Sequence, residues 1–398
     1  MSRNQSPIGS YPSHWKLVPL DSVAELKHGY QFRTYDFTAT GIKVFKITQI
    51  KGNGLIDITS CDYIENTRLN DFRKFIIQKG DILMALSGAT IGKIGRYDQD
   101  EVVLQNYRVG NFLPLEKSEL SKDYFFYFLS SDITYQQILA NQTQSAQENV
   151  GKEDIHKMLL FLPPPDEQNA IAAILSSLDN KINLLQAQNI TLDNIAVTLF
   201  RQWFVEAPQE EWASIPLSKV ADFLNGLACQ KFPPKNDIEK LPVLKIKELA
   251  SGINEDSDWA STEIKPVYKI KNGDVIFAWS ASLMVKIWDG QDCILNQHLF
   301  KVKSEDYPKW FYYLWCKHHL TEFISIAASH ATTMGHIKRG DLDEAKVLIP
   351  SPEELKVMTE QVEPLIQKII TNNIQINTLI KLRDSLLPKL LSGDATIE

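Results

Sequence analysis

Trp15-Lys16-Leu17-Val18-Pro19-Leu20-Asp21-Ser22-Val23-Ala24 returns 197 residues later as Trp212-Ala213-Ser214-Ile215-Pro216-Leu217-Ser218-Lys219-Val220-Ala221, and a glycine follows each, Gly29 and Gly226. A repeat fixes the architecture before any single motif does. Further out, Val44-Phe45-Lys46-Ile47 answers Val243-Leu244-Lys245-Ile246, and Gly80-Asp81-Ile82-Leu83 answers Gly273-Asp274-Val275-Ile276. Lys93-Ile94 answers Lys286-Ile287, Leu104-Gln105-Asn106 is set against Leu295-Asn296-Gln297, and aromatic runs begin at Tyr124 and Trp310. Each copy closes in prolines, Leu162-Pro163-Pro164-Pro165 and Ile349-Pro350-Ser351-Pro352, where the offset has fallen to 187. Insertions therefore differ inside a kept frame, as expected of two related binding heads with different targets.

Within each copy, β-branched and aromatic stretches between Gly, Asn and Asp punctuation predict short strands over 44–50, 81–86 and 102–109, and over 242–246, 274–279 and 294–302. The aromatic runs predict short helices packed on a sheet rather than platforms for stacking bases. After each proline stop the texture changes. Asp166-Glu167-Gln168 and Ser351-Pro352-Glu353-Glu354 carry N-terminal helix chemistry, with acids where the helix dipole favours them. Apolar positions then step by four and three through Ile171, Leu175, Leu178, Ile182, Leu185, Asn189, Leu192, Ala196, Leu199 and Trp203. The second series is Met358, Val362, Leu365, Ile369, Asn372, Ile376, Leu379, Arg383, Leu386 and Leu390. A repeat of 3.5 residues over about five heptads predicts a coiled coil. Asn189 and Asn372 interrupt its seam, where a polar residue fixes register at the expense of stability. Helices of roughly 40 residues span about 60 Å, and the repeat makes them antiparallel, with a head near each end.

Of the chain's 398 residues, 44% are hydrophobic and 10% aromatic, enough for a core in each head. The N-terminus has no secretory pattern and no apolar run is long enough for a bilayer, so a cytoplasmic location with no membrane partner is expected. Cys61, Cys229, Cys293 and Cys316 lie far apart and predict neither a zinc knuckle nor a disulfide framework. The net charge of −7 argues against nonspecific wrapping of nucleic acid. It leaves room for local positive potential, or for basic surface supplied by a partner.

Catalytic motifs are missing from the sequence. There is no glycine-rich dinucleotide or P-loop fingerprint and no zinc-protease motif, and Leu162 to Asp166 has the wrong composition for an amino-methyltransferase tetrapeptide. What remains is polar side chains near predicted strand ends, where loops can enter a groove. In the first copy these are Gln31, Arg33, Lys46, Gln49, Ser87, Thr90, Lys93, Arg96, Gln105, Asn106 and Arg108, with Gln144 and Asn149 on a second loop. In the second they are Gln230, Lys231, Lys245, Lys247, Ser280, Ser282, Lys286, Asn296, Gln297 and His298, with Thr332, Thr333 and His336 on the matching loop. Arg and Lys suit guanine and Asn and Gln suit adenine, although any one of these residues alone could be ordinary solvated surface.

The twofold W-x-x-x-P-L-x-x-V-A openings, the G-D-I-L and G-D-V-I strands, and the run from Leu162 through Asp166-Glu167-Gln168 to Leu175 together resemble the specificity subunit of type I restriction-modification systems, across nearly the whole chain. That resemblance implies an α+β chain with two pseudo-repeated mixed α/β target-recognition domains, 1–163 and 208–350. Long helices, 164–207 and 351–398, separate them as an antiparallel coiled coil. It implies that each domain reads half of a bipartite, asymmetric site on double-stranded DNA, and that the helices set the spacer and dock two modification subunits. Catalysis would then lie elsewhere: S-adenosylmethionine, ATP and Mg on partner subunits, with two restriction subunits where a system has them, and no cofactor or metal on this chain. The second proline stop departs from the family pattern, so contacts of Glu167 and Gln168 are not carried over to Glu354 and Leu355. The competing readings are a self-contained methyltransferase or nuclease of unfamiliar motif, and a scaffold whose heads bind protein.

Overall fold

The computed structural model describes residues 2–51, 54–115, 119–142, 150–329 and 335–395. The chain forms two compact units, Met1–Asp179 with Lys381–Glu398, and Asn180–Ile380. Both boundaries fall inside the long helices, Pro165–Arg201 and Pro352–Leu391. The helices are therefore shared between the units rather than forming a body of their own. The reason is burial: Ile171, Ala172, Leu175, Leu390 and Leu391 sit in the main core of the first unit, and Ala196, Phe200, Phe204, Met358, Val362 and Ile366 in that of the second.

The first unit centres on an antiparallel sheet ordered Ala24–His28, Val109–Pro114, Asp81–Ala85, Ile94–Tyr97. Beside it, Val103–Gln105 runs parallel to Ile42–Phe45. Leu159–Leu162, the strand before the prolines, pairs with Lys16–Pro19 of the opening motif. The second unit repeats all three arrangements: Asp222–Asn225, Leu299–Lys303, Val275–Ala278 and Met284–Ile287 form the sheet. Lys240–Leu244 lies parallel to Cys293–Leu295, and Ala213–Pro216 pairs with Lys346–Ile349.

Asp81–Ala85 is buried throughout because its two faces serve different cores. Successive strand side chains point to opposite faces. Ile82 and Met84 join the aromatic helix core, while Leu83 and Ala85 join the core beneath the parallel pair. Val275 and Phe277 against Ile276 and Ala278 do the same in the second unit. The aromatic runs lie on the helices Lys122–Leu129 and Lys309–Ser329, packed against these sheets as expected, but the second helix is 21 residues long rather than short.

Several predicted strands are shorter or divided. The stretch expected over 44–50 is the strand Ile42–Phe45 followed by a 3-10 turn, Ile47–Gln49, which Gln49 closes by accepting the Lys46 N–H at 2.8 Å. The stretches over 102–109 and 294–302 each break in two at an asparagine. Asn106 Oδ1 accepts the Arg108 N–H and Asn296 Oδ1 the His298 N–H, both at 3.3 Å. A side chain that offers the backbone such a local partner competes with the ladder.

In both units the long helices run antiparallel. Asp179 meets Arg383 in the first unit, and Ile182 and Leu185 cluster with Ile376 and partly buried Leu379 in the second. Asn189 and Asn372 face each other. Ile369 is buried, while Leu178, Leu192 and Leu365 are half-buried. The buried line leaves the predicted seam at Phe200, Phe204 and Ile366, which replace Leu199, Trp203 and Leu365 as the fully covered residues. A helix drifts about 20° per heptad from a strict 3.5 repeat. Here it also packs on a head: Phe200 and Phe204 lie 4.9 and 5.3 Å from the Trp315 ring. The first helix ends in a π-helical turn, Gln202–Glu206.

Candidate functional site

Three backbone segments converge in each unit. In the first, the chain leaving Ala24–His28 passes Gly29 to Tyr30, whose N–H donates to Gln105 O at 2.9 Å, and Tyr107 N–H donates back to Tyr30 O at 2.9 Å. A Cβ on Gly29 would sit 2.1 Å from Gln105 O, and one on Gly226 2.1 Å from Asn296 O. That approach is closed to any other residue, which explains the glycine after each opening motif. The third segment is the turn Gly88–Thr90, flanked by Leu86, whose N–H donates to Arg108 O at 3.0 Å. Gly88 is left-handed, φ +68°, and Ala281 takes the same conformation, φ +56°.

These bonds also correct the alignment of the repeat. Asn106 N–H donates to Phe45 O at 3.0 Å and Asn296 N–H to Leu244 O at 3.1 Å, so Asn106 corresponds to Asn296 and Gln105 to Leu295. The sequence match of Gln105-Asn106 to Asn296-Gln297 is one residue out. Position by position, the first unit presents His28, Tyr107 and Arg108 where the second presents Asn225, Gln297 and His298.

Arg108 is exposed and its Nε donates to Tyr107 Oη at 2.7 Å, while His28 Nδ1 lies 3.3 Å from Tyr107 O. In the second unit Trp279 Nε1 donates to Asn225 Oδ1 at 3.1 Å and its ring stacks on Phe300. His298 contacts Ser280 Oγ at 3.2 Å through Nδ1 and Gln297 Nε2 at 3.4 Å through Nε2. His336 joins this cluster through a backbone bridge to Ser280 and an edge contact with Trp279. Ser87 and Thr90 hold buried hydroxyls with no hydrogen-bond partner among the described residues.

Other candidates are placed differently. Gln105 is fully buried and donates to Lys27 O and Val109 O at 2.9 and 2.8 Å. Gln49, Asn106 and Asn296 are buried backbone caps. Their amide groups are committed to the fold. Lys46 and Lys245, equivalent in the repeat, are paired with Asp62 and Asp258. Arg96 pairs with Asp123 at 2.6 Å above the Phe126 ring, and Lys286 pairs with Asp289 at 2.9 Å. Gln31, Arg33, Lys93, Gln230, Lys231, Lys247 and Ser282 are exposed. Gln144, Asn149, Thr332 and Thr333 lie outside the described residues. The sequence reading passed over His28, Tyr107, Asn225 and Trp279. The first and third stand 197 residues apart, beside the repeated glycines, and that equal spacing is the signal that could have found them.

Among the described residues no group of three or more His, Cys, Asp or Glu could hold a metal ion, and no helix is long and apolar enough to cross a membrane. Two copies of one α+β unit, each with the same three-segment loop cluster and its own stretch of an antiparallel helix pair, define a two-headed recognition protein. Residues 12–194 and 209–382 each match the type I restriction modification DNA specificity domain, and the chain belongs to that family. It is 25% identical to the type I restriction enzyme MjaIX specificity subunit of Methanocaldococcus jannaschii, with 99% of this chain and 96% of that protein covered. It is 22% identical to the HindI specificity subunit of Haemophilus influenzae, with 96% and 100% covered. The fold is also that of the type I restriction-modification S subunit of M. genitalium, with a TM-score of 0.56 at 17% identity over 96% of this chain and 97% of that one.

Proposed function

We propose that each unit reads one half of a bipartite, asymmetric site on double-stranded DNA, and that the long helices set the spacer and dock two modification subunits. On this reading the chain performs no chemistry. S-adenosylmethionine belongs to the modification subunits, and ATP and Mg to restriction subunits where the system has them. On the same reading the chain acts in the cytoplasm, where the DNA it would recognise lies.

One observation carries the reading: a common backbone frame, built on Gly29 and Asn106 or on Gly226 and Asn296, displays different side chains at equivalent points. Phosphate contacts position a protein on DNA, while side chains at base edges specify sequence. Arg108 can grip guanine bidentately, and Asn225 and Gln297 match adenine. The negative net charge fits a protein that meets DNA inside a complex rather than alone.

The test is to co-produce the chain with its modification subunit and map methylated adenines across the host genome by single-molecule sequencing. A single split motif, lost when this chain is omitted, is the expected result. A soluble complex that leaves no new methylation would favour the protein-binding scaffold instead.

A further inference from the structure

We propose that the long helices carry a heterotypic pairing code: each accepts the other and rejects a second copy of itself. The code lies in polar residues that are complementary between the helices and mismatched within each. Asn372 is fully buried, and its Nδ2 donates to Asn189 Oδ1 at 2.8 Å and to Gln188 Oε1 at 2.9 Å. Asn189 Nδ2 returns a bond to Asn373 Oδ1 at 2.6 Å.

The repeat shows what like helices would meet. The helices begin at Pro165 and Pro352, so the offset of 187 makes Leu185 equivalent to Asn372 and Asn189 equivalent to Ile376. The two apolar members, Leu185 and Ile376, share one cluster. If the first helix paired with a second copy of itself in this register, each Asn189 would face a Leu185. In a pair of second helices each Asn372 would face an Ile376. Both arrangements lose the Asn189–Asn372 bond and set each of these amides against an apolar side chain, twice over, with Gln186 and Gln375, the equivalents of Asn373 and Gln188, as the remaining polar neighbours.

A second pair obeys the same rule. Asp179 Oδ1 accepts from Arg383 Nη1 at 2.9 Å, with both side chains largely covered. Their equivalents are Ile366 and Ala196, both fully buried. Like pairing would set Asp179 against Ala196, and Arg383 against Ile366. Arg383 would keep Asp384 of its own helix and Asp179 the Tyr127 hydroxyl. Asp179 would nonetheless lose the cation that faces it, and a covered charge without its counterion is disfavoured more strongly than a buried amide. Asn372 Oδ1 has no hydrogen-bond partner among the described residues, so the amide persists in spite of a residual penalty. That is expected where a seam polar residue serves partner choice. The consequence for DNA, one molecule with two unlike heads, rests on the function proposed above. The pairing itself does not.

The test uses the full-length chain with a protease site placed in the exposed stretch 207–211. Heavy- and light-isotope preparations are cleaved, mixed, taken through urea and returned to buffer, and native mass spectrometry reads which fragments associate. Unlike pairs with scrambled isotopes are expected, with like pairs at least about 100-fold scarcer. Like pairs should rise at least about tenfold in the cleaved double variant Asn189→Leu/Asn372→Ile. Like pairs as abundant as unlike ones, or no rise in that variant, overturns the proposal. A second measurement needs no cleavage. In urea titrations of the intact chain, each single substitution should lower the midpoint and the double should recover most of the loss. Losses that simply add would also overturn it.

Discussion

The Trp212 indole donates to Glu354 Oε2 at 2.9 Å, and Trp15 makes the same bond to Glu167 at 2.8 Å. The tryptophan that opens each copy is thus fastened to the first turn of the helix that follows it, 152 residues away in one case and 142 in the other. Both glutamates keep this role despite the altered proline stop. The neighbouring position does not: Gln168 is buried and bonded to the backbone of Ser121, Glu119 and Pro163, whereas Leu355 is a partly buried apolar contact.

Glu354 gives a pH prediction. It accepts from Ser351 Oγ at 2.7 Å and from the Ser351 N–H at 2.9 Å, while Ser351 Oγ accepts the Glu354 N–H, a reciprocal cap. The Ser351 hydroxyl, then its backbone, then the Trp212 indole hold the carboxyl below its ordinary value of 4.5. A depressed folded value means stabilisation that is present above the unfolded value and lost as pH falls through the folded one. Urea titrations between pH 7 and pH 3 should show stability falling below about pH 4.5, and Glu354→Gln should flatten that part of the curve. An unchanged slope would mean that the carboxylate is not the group being read.

Gln105→Leu separates structure from readout. Leu295 already occupies the equivalent place, but in the first unit the amide satisfies Lys27 O and Val109 O. Leaving these acceptors unpaired should cost about 1–3 kcal/mol in a urea titration, without changing which bases are methylated. A changed half-site at unchanged stability would return Gln105 to the reading surface.

The repeat, the strands and the two long helices were legible because each rests on local pattern: motif order, period 2, period 3.5. What escaped was set by contacts distant in sequence. The register that joins Asn106 to Asn296 appears only through hydrogen bonds to Phe45 and Leu244, since the motif itself reads Gln-Asn in one copy and Asn-Gln in the other. Phe200 displaces Leu199 because the helix has a head to pack against as well as a helix. Lys46 and Lys245 were legible as a matched pair of cations, but the carboxylates beside them, Asp62 and Asp258, lie on other strands and loops.

Ala281 occupies a left-handed conformation that its counterpart Gly88 adopts without strain. The penalty for an L-residue there exceeds the entropy lost by a glycine, so Ala281→Gly should stabilise the chain by about 0.5–1 kcal/mol. Gly88→Ala should destabilise it by a similar amount, since a Cβ there meets only Ile47 Cδ1 at 4.0 Å and the effect is conformational rather than steric. Denaturant midpoints of the two variants should move in opposite directions.

The proposed readout separates by unit. Arg108 and His298 occupy the same point of the frame, each beside the carbonyl that receives the N–H of Leu86 or Trp279. If that point faces a base edge, Arg108→Ala should relax one position of one half-site, and His298→Ala one position of the other. A lost base contact is worth about 1–3 kcal/mol of discrimination, or roughly ten- to a hundredfold. Arg108 is exposed and bonds outward only to Tyr107, so its removal should leave the urea midpoint in place. Methylation maps of the two variants in the assembled complex decide the matter. Relaxation confined to opposite halves supports two independent heads on one frame, whereas a uniform fall in methylation with both halves still fully specified would reassign Arg108 to the phosphate backbone, where contacts strengthen binding without choosing a sequence.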